Sequence, residues 1–343
     1  MAEEPAAVKN SDSMKEGREW GSYCLFGAKT IAGLLKKLLR HAEGVRGFGT
    51  EVEDVEHVHQ TRVSARRLRV ALPLFRECLC PTEKNTAEFE RWMRALRRLA
   101  RSLGEARDTD VQITSIIREI EAAPPQGAAG LRRLLLRLKQ KRAALQKKAV
   151  ATLERFAASS TEGEIMSRIR LIVGQAYIEG FDAKDQEMGP EERKRILAAA
   201  QERIAHVVSF GVPLPGIRDT FELHEMRKSA KRLRYTLEIF APLYKGKLKN
   251  HVDRIKSLQD TLGTLNDSDV WLARLPIFME EERERTLVYR GHTKGLGGIL
   301  RGLEGFADAK LSIRDEVYTS FTGLWEKFCN ERYWDEILKE LEA

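Results

Sequence analysis

Two short stretches of this chain carry cations at helical spacing. The first reads HQTRVSARRLRVALPLF from His59 to Phe75, and the second reads HEMRKSAKRLRYTLEIF from His224 to Phe240. In the first, His59, Arg62, Arg66 and Arg69 recur every three or four residues, so a helix stacks them along one face. In the second, that face holds His224, Arg227, Lys231 and Arg234. Arginine offers phosphate oxygens a planar fork of donors, and lysine offers a compact charge. A row of such groups suits a polyanion better than it suits catalysis on a small substrate. The plain alternative is a solvated basic face. Solubility, however, asks for mixed signs, and these stripes are of one sign.

The elements that must position the stripes come in two copies. The stretches lie at an offset of 165 residues and share nine identities. These are His59/His224, Arg62/Arg227, Ser64/Ser229, Ala65/Ala230, Arg67/Arg232, Leu68/Leu233, Arg69/Arg234, Leu72/Leu237 and Phe75/Phe240. Ala65, Leu68, Leu72 and Phe75 form an apolar face roughly opposite the cations, so each copy is a packed helix with a charged edge. The repeat extends upstream at the same offset, in Lys29/Lys194, Ile31/Ile196 and His41/His206. Downstream the offset becomes 159, with Leu103-Gly104 on Leu262-Gly263, Asp108 on Asp267 and Asp110-Val111 on Asp269-Val270. A shorter loop in the second half accounts for the change.

These patterns lead to an all-α fold of two tandem helical repeats. The expected divisions are a disordered N-terminus at 1–17, a first repeat at 18–160, a connecting segment at 161–189 and a second repeat at 190–343. The first helix is expected from Arg18 to Arg46, stopped by Gly44, Gly47 and Gly49. Pro73 is expected to kink or end the striped helix. Third helices are expected at Glu83–Gly104 and Lys245–Gly263, with Gly104 and Gly263 as C-caps and Asp108 and Asp267 as N-caps of fourth helices. Metal ligation by Asp108, Asp110, Asp267 and Asp269 is the second reading of those acids. The stretches around Gly163–Gly189 and Gly291–Gly305 read as connections, the first with a short helix from Glu164 to Gly180. The last region, about Leu296 to Glu342, is more acidic and only weakly repeated.

A long helix from Gln126 to Ala158 closes the first half. Residues 131–155 hold nine Lys or Arg against the single acid Glu154. Such an excess repels itself unless something anionic neutralises it. Arg137 and Lys141 therefore join the candidate binding residues.

Composition narrows the class. Charged residues make up 32%, aromatics 7% and the net charge is +8, which favours helices and an anionic partner. The hydrophobic fraction of 42% is enough for a packed core. Four scattered cysteines read as free thiols in a reducing compartment. The chain shows neither a signal-peptide pattern nor a membrane-length apolar run, so a soluble cytoplasmic protein is expected, with no membrane partner. There is no phosphate-binding glycine loop with its lysine, and His224-Glu225 lacks the second histidine of a zincin helix. His57 and His59 fall on different faces of a helix. Nothing calls for catalysis or a cofactor, and the oligomeric state is not readable.

The motif His-x-x-Arg with the following Arg/Lys-Arg-Leu-Arg, at His59–Arg69 and His224–Arg234, resembles the signature of the CHAD domain, the conserved-histidine α-helical domain. The Leu-Gly…Asp-x-Asp pieces from Leu103 and Leu262 are similar to its second block. The resemblance covers about residues 20–340. It implies two four-helix units related by a pseudo-twofold axis, a basic channel between them, and binding of inorganic polyphosphate, often at polyphosphate granules. By position it assigns the channel to His59, Arg62, Arg66, Arg69, His224, Arg227, Lys231 and Arg234. Third-helix Arg94, Arg97, Arg101 and Lys256 are further contributors. CHAD domains are often fused to a CYTH domain with an E-x-E-x-K motif. Here Glu51-Val52-Glu53-Asp54-Val55 lacks the lysine, so a stand-alone domain is expected and the hydrolase function of the fusion is not carried over. A nucleic-acid backbone binder ranks second, because aromatics are sparse and not interleaved with the cations. A polyphosphate-processing enzyme ranks third, since it would need metal-holding carboxylates beside the phosphates.

Overall fold

The computed structural model describes residues 21–46, 51–122, 127–180, 188–211, 220–330 and 332–342. The expected disordered N-terminus and two of the glycine stops, Gly47 and Gly49, lie outside these residues. Among the described residues all regular structure is helical. The elements are α1 (Ser22–Arg46), α2 (Glu51–Leu74), α3 (Arg76–Leu79), α4 (Thr86–Ala122), α5 (Ala128–Ala157), α6 (Thr161–Ile178), α7 (Pro190–Val208), α8 (Thr220–Phe240), α9 (Lys249–Arg290), α10 (Leu296–Asn330) and α11 (Tyr333–Glu342).

The packing order follows the chain. In the first half α1 packs on α2, α2 on α4 and α4 on α5. In the second half α7 packs on α8, α8 on α9 and α9 on α10. The largest packings between the halves are α5 on α10 and α2 on α8. The striped helices bury the faces their periodicity marked: Ala65, Leu68 and Leu72 on α2 with Phe75 just after it, and Ala230, Leu233, Leu237 and Phe240 on α8, are all buried. Each large apolar side chain so buried contributes roughly 1.5–3 kcal/mol, which holds the cationic edges in place.

One hydrophobic core runs through both halves. At its centre Tyr23 and Phe26 of α1 meet Phe75 and Phe240, the residues that end the two stripes. The Tyr23 hydroxyl donates to the carbonyl of Leu74 (2.9 Å), and its backbone N–H donates to Glu192 of α7 (2.8 Å). A second cluster joins α4, α5, α9 and α10 through Ile116, Leu134, Leu138, Leu275, Phe278 and Leu303. There α5 and α10 cross at glycines. A side-chain carbon on Gly302 would strike the carbonyl of Gly127, and one on Gly130 would strike that of Ile299.

Several expectations are corrected. Gly104 and Gly263 do not end helices, because α4 and α9 run straight through them. Asp108 and Asp267 are accordingly mid-helix residues and cap nothing. Gly44 lies inside α1, packed against the His57 ring. Pro73 ends α2 one residue later, as its missing N–H favours. The Gly291–Gly305 stretch is mostly helix. Only its first residues turn, with Gly291 and Gly295 at positive φ, and α10 then carries Gly297 to Gly305. The short helix expected from Glu164 to Gly180 is α6, which sends Ile165, Ile169 and Ile172 into the core against α1, α3 and α4. Cys24 and Cys78 form a disulfide, and only Cys80 and Cys329 are free, so the free-thiol reading fails for two of the four. Spacing could not show that α1 and α3 bring those two together.

Candidate functional site

The charged edges of α2 and α8 meet where the two helices pack. Lys231 is pushed down to about 7 by burial, and then by the positive charges of Arg227, Arg66 and Arg62. Asp267 opposes the shift only weakly. Arg62, four-fifths buried, is lowered to about 10 by burial and then by Arg66, against the pull of Asp108. Arg227 is lowered by burial, with Asp267 opposing and Arg66 adding to it. Burial first, then Arg97, Arg232, Arg66 and Arg101, lowers Arg69. Two cations about 5 Å apart repel by roughly 3 kcal/mol in a surface-like dielectric. Apolar packing beneath the stripes offsets that cost in the free protein.

Acids are apportioned unevenly between this surface and the rest. Among the described residues Arg66, Arg69, Arg97, Arg101, Arg227 and Lys231 make no ion pair, although the chain has 51 Asp and Glu. The Nε atoms of Arg62, Arg69, Arg227 and Arg234 are buried donors without acceptors. Arg62 does hold one acid, Asp108, at 3.1 Å, but that carboxylate is 65% exposed. Arg234 lies 3.6 Å from Glu238, which Arg67 holds more closely at 2.7 Å.

The two histidines are placed differently. His224 Nδ1 lies 2.6 Å from the side-chain oxygen of Asn266 on α9. His59 Nδ1 is buried without a partner, and its pKa is lowered by burial and then by Arg107. Neither histidine sits at the first turn of its helix, so neither acts as a cap. His57, one face away, meets the His41 ring at a tilt, with ring centroids 5.7 Å apart.

Other assigned residues fall outside the cluster or at its margin. Arg137 is turned away from it: with Arg133 and Arg285 it holds the buried carboxylate of Glu282, its own distance being 3.0 Å. Part of the excess charge of α5 is therefore neutralised by the protein's own acids, Arg142 on Asp110 and Lys148 on Glu105 being further cases. Arg94 is exposed and pairs with Glu90 one turn back. Lys141 lies on an exposed part of α5, and its pKa is lowered by partial burial and then by Arg274. Lys256 is exposed on α9 and makes no ion pair among the described residues. As metal ligands the aspartates are poorly placed, because Asp110 is held by Arg142 and Asp269 by Arg314. Among the described residues no group of three acidic, His or Cys side chains could hold a metal ion. No described helix is long and apolar enough to cross a membrane.

Arg107, Arg232 and Arg274 act on assigned residues but were not read from the sequence. For Arg107 a signal existed. Arg97, Arg101, Gly104 and Asp108 share one face of an uninterrupted α4, and Arg107 borders it. Ending the helix at Gly104 hid that continuity. Arg274 acts on Lys141 only because the fold brings α5 and α9 near each other, as the Arg137–Glu282 pair shows.

No curated protein matches the chain. The crystal structure of the CHAD domain from the plant Ricinus communis is similar over 94% of this chain and 92% of that one, with a TM-score of 0.54 and 21% identity, a likeness of fold. The family model of the CHAD domain matches residues 29–276, which include both striped helices, all of α4 and the part of α9 that carries Gly263. The chain therefore belongs to the CHAD domain family.

Proposed function

We propose that this protein binds inorganic polyphosphate along the surface where α2 and α8 meet. The observation that carries this reading is the segregation of acids. Outlying cations such as Arg94, Arg137 and Arg142 have carboxylates, while Arg66, Arg69, Arg227 and Lys231 have one another. Membership of a family associated with phosphate- and polyphosphate-related proteins agrees with it. Polyphosphate carries about one charge per unit and no bases, so a track of forks and point charges suffices to recognise it. Tyr235, the aromatic ring beside the stripes, is already covered by Arg234 and Arg67, at 5.0 and 5.9 Å, and is not free to stack a base. The reading includes two related repeats that together form a basic channel, binding without catalysis, and association with polyphosphate granules in the cytoplasm.

The direct test is the double substitution Arg62→Ala with Arg227→Ala. Each arginine lost removes charge-assisted bonds of about 1.5–3 kcal/mol, so affinity for polyphosphate should fall by at least 100-fold. Melting should change little, because the only acid released, Asp108, faces water. Unchanged affinity would remove α2 and α8 as the site. Stronger retention of single-stranded RNA than of polyphosphate at equal salt would shift the assignment to nucleic acid.

A further inference from the structure

Glu238 of α8 meets an arginine from each half of the chain. One of its carboxylate oxygens, Oε2, accepts from Nη2 of Arg67 on α2 at 2.7 Å. The other, Oε1, faces Nε of Arg234 one turn back on α8, at 3.6 Å. Both guanidinium groups stand over the ring of Tyr235, at 5.9 Å and 5.0 Å from its centroid. That ring is buried, so it is a fixed platform. Among the described residues Nη1 of Arg67 and both terminal nitrogens of Arg234 make no hydrogen bond and remain for a ligand.

The sequence repeat reproduces the arginines but not what holds them. At the 165 offset Arg67 corresponds to Arg232 and Arg234 to Arg69, whereas Tyr235 corresponds to Val70 and Glu238 to Pro73. Among the described residues Arg69 and Arg232 make no ion pair.

A carboxylate at this surface repels an incoming polyanion, so on charge alone its removal would tighten binding. The geometry points the other way. Two guanidinium groups over one ring repel each other, and a carboxylate with one oxygen toward each offsets that repulsion. The ring attracts both. Without the acid the two side chains separate and regain rotamer freedom, which binding must then remove.

We propose that Glu238 is a positioning residue of the anion site: it holds Arg67 and Arg234, one from each half, together over Tyr235, so that a polyphosphate chain meets them already placed. This rests on the polyphosphate reading of the α2–α8 surface.

The test titrates a chain of about 100 phosphates, over a range of salt, into the parent, Glu238→Ala, Glu238→Asp and Glu77→Ala. Glu238→Ala should bind about tenfold more weakly in spite of its extra positive charge, and its salt slope should be flatter by about one. A purely structural acid would lower melting without moving that slope. Glu238→Asp keeps the charge and shortens the reach by one carbon, and should bind about threefold more weakly. If Glu238→Ala does not fold, the aspartate variant carries the test. Glu77 pairs with Arg195 at 2.7 Å, also across the halves, but on α3 and α7, which carry neither cationic edge. Glu77→Ala should bind within about twofold of the parent. Tighter binding by Glu238→Ala, unchanged binding by Glu238→Asp, or an equal loss in Glu77→Ala would overturn the positioning role and leave the main track intact. A parent protein that does not bind polyphosphate would overturn the polyphosphate reading and this role with it.

Discussion

The Nε of Arg62 lies 3.6 Å from the point that a side-chain carbon on Gly104 would occupy. Arg227 stands in the same relation to Gly263, at 3.7 Å. In each half a mid-helix glycine of the neighbouring helix lets a stripe arginine lie flat across bare backbone. An alanine carbon at either position would meet the guanidinium at ordinary contact distance, so the close approach excludes side chains larger than alanine.

A bulky side chain at these glycines should therefore act on binding before it acts on folding. Gly104→Leu with Gly263→Leu is expected to displace Arg62 and Arg227 and to weaken polyphosphate binding by about tenfold or more, the loss of roughly one charge-assisted contact. Gly104→Ala, whose added carbon finds an ordinary contact distance, should bind normally and melt slightly higher. Titration calorimetry on the two variants separates these outcomes.

Lys231 should make binding sensitive to pH. Its pKa in the free protein is near 7, so the charge is lost as pH rises through neutrality. Affinity should fall between about pH 6.5 and 8.5, and binding at pH 8 should take up protons, visible as a buffer-dependent heat. Lys231→Arg keeps its charge and should flatten the profile. The sign for stability is opposite. A lysine with a lowered folded pKa binds fewer protons folded than unfolded above pH 7, so this group's contribution to the stability of the free protein rises from about pH 7 to pH 10.

Glu282 should be a stability residue without a binding role. Its carboxylate is 1% exposed, and its pKa is held below the usual range by hydrogen bonds from Arg133, Arg137 and Arg285, which outweigh the cost of burial. Glu282→Gln should cost roughly 2–3 kcal/mol, a buried-pair loss discounted for its half-exposed arginines. Thermal melting should register the loss, while polyphosphate affinity stays within twofold.

Two glycines of α10 should respond to alanine with opposite signs. Gly302 touches the backbone of Gly127, which cannot move aside, so Gly302→Ala should destabilise by about 1–3 kcal/mol. Gly298 meets nothing within 4 Å, so Gly298→Ala should stabilise by up to about 1 kcal/mol. Chemical denaturation of both variants checks the pair.

Periodicity alone determined the helical class, the buried faces of α2 and α8 and the charged edges opposite them. Those features are local: a run of Ala65, Leu68, Leu72 and Phe75 can bury only one way in a helix, and the cations are then left on the other side. Which cations have acids of their own was decided only in three dimensions. Arg137 looks like Lys141 in sequence, yet one meets Glu282 across α9 and the other does not. Gly104 reads as a helix stop until Arg62 is seen to fill the space over it. Cys24 and Cys78 look unrelated until α1 and α3 bring them together. Ion pairs, close approaches and disulfides join residues far apart in the chain, and spacing carries no information about such distances until the helices have packed.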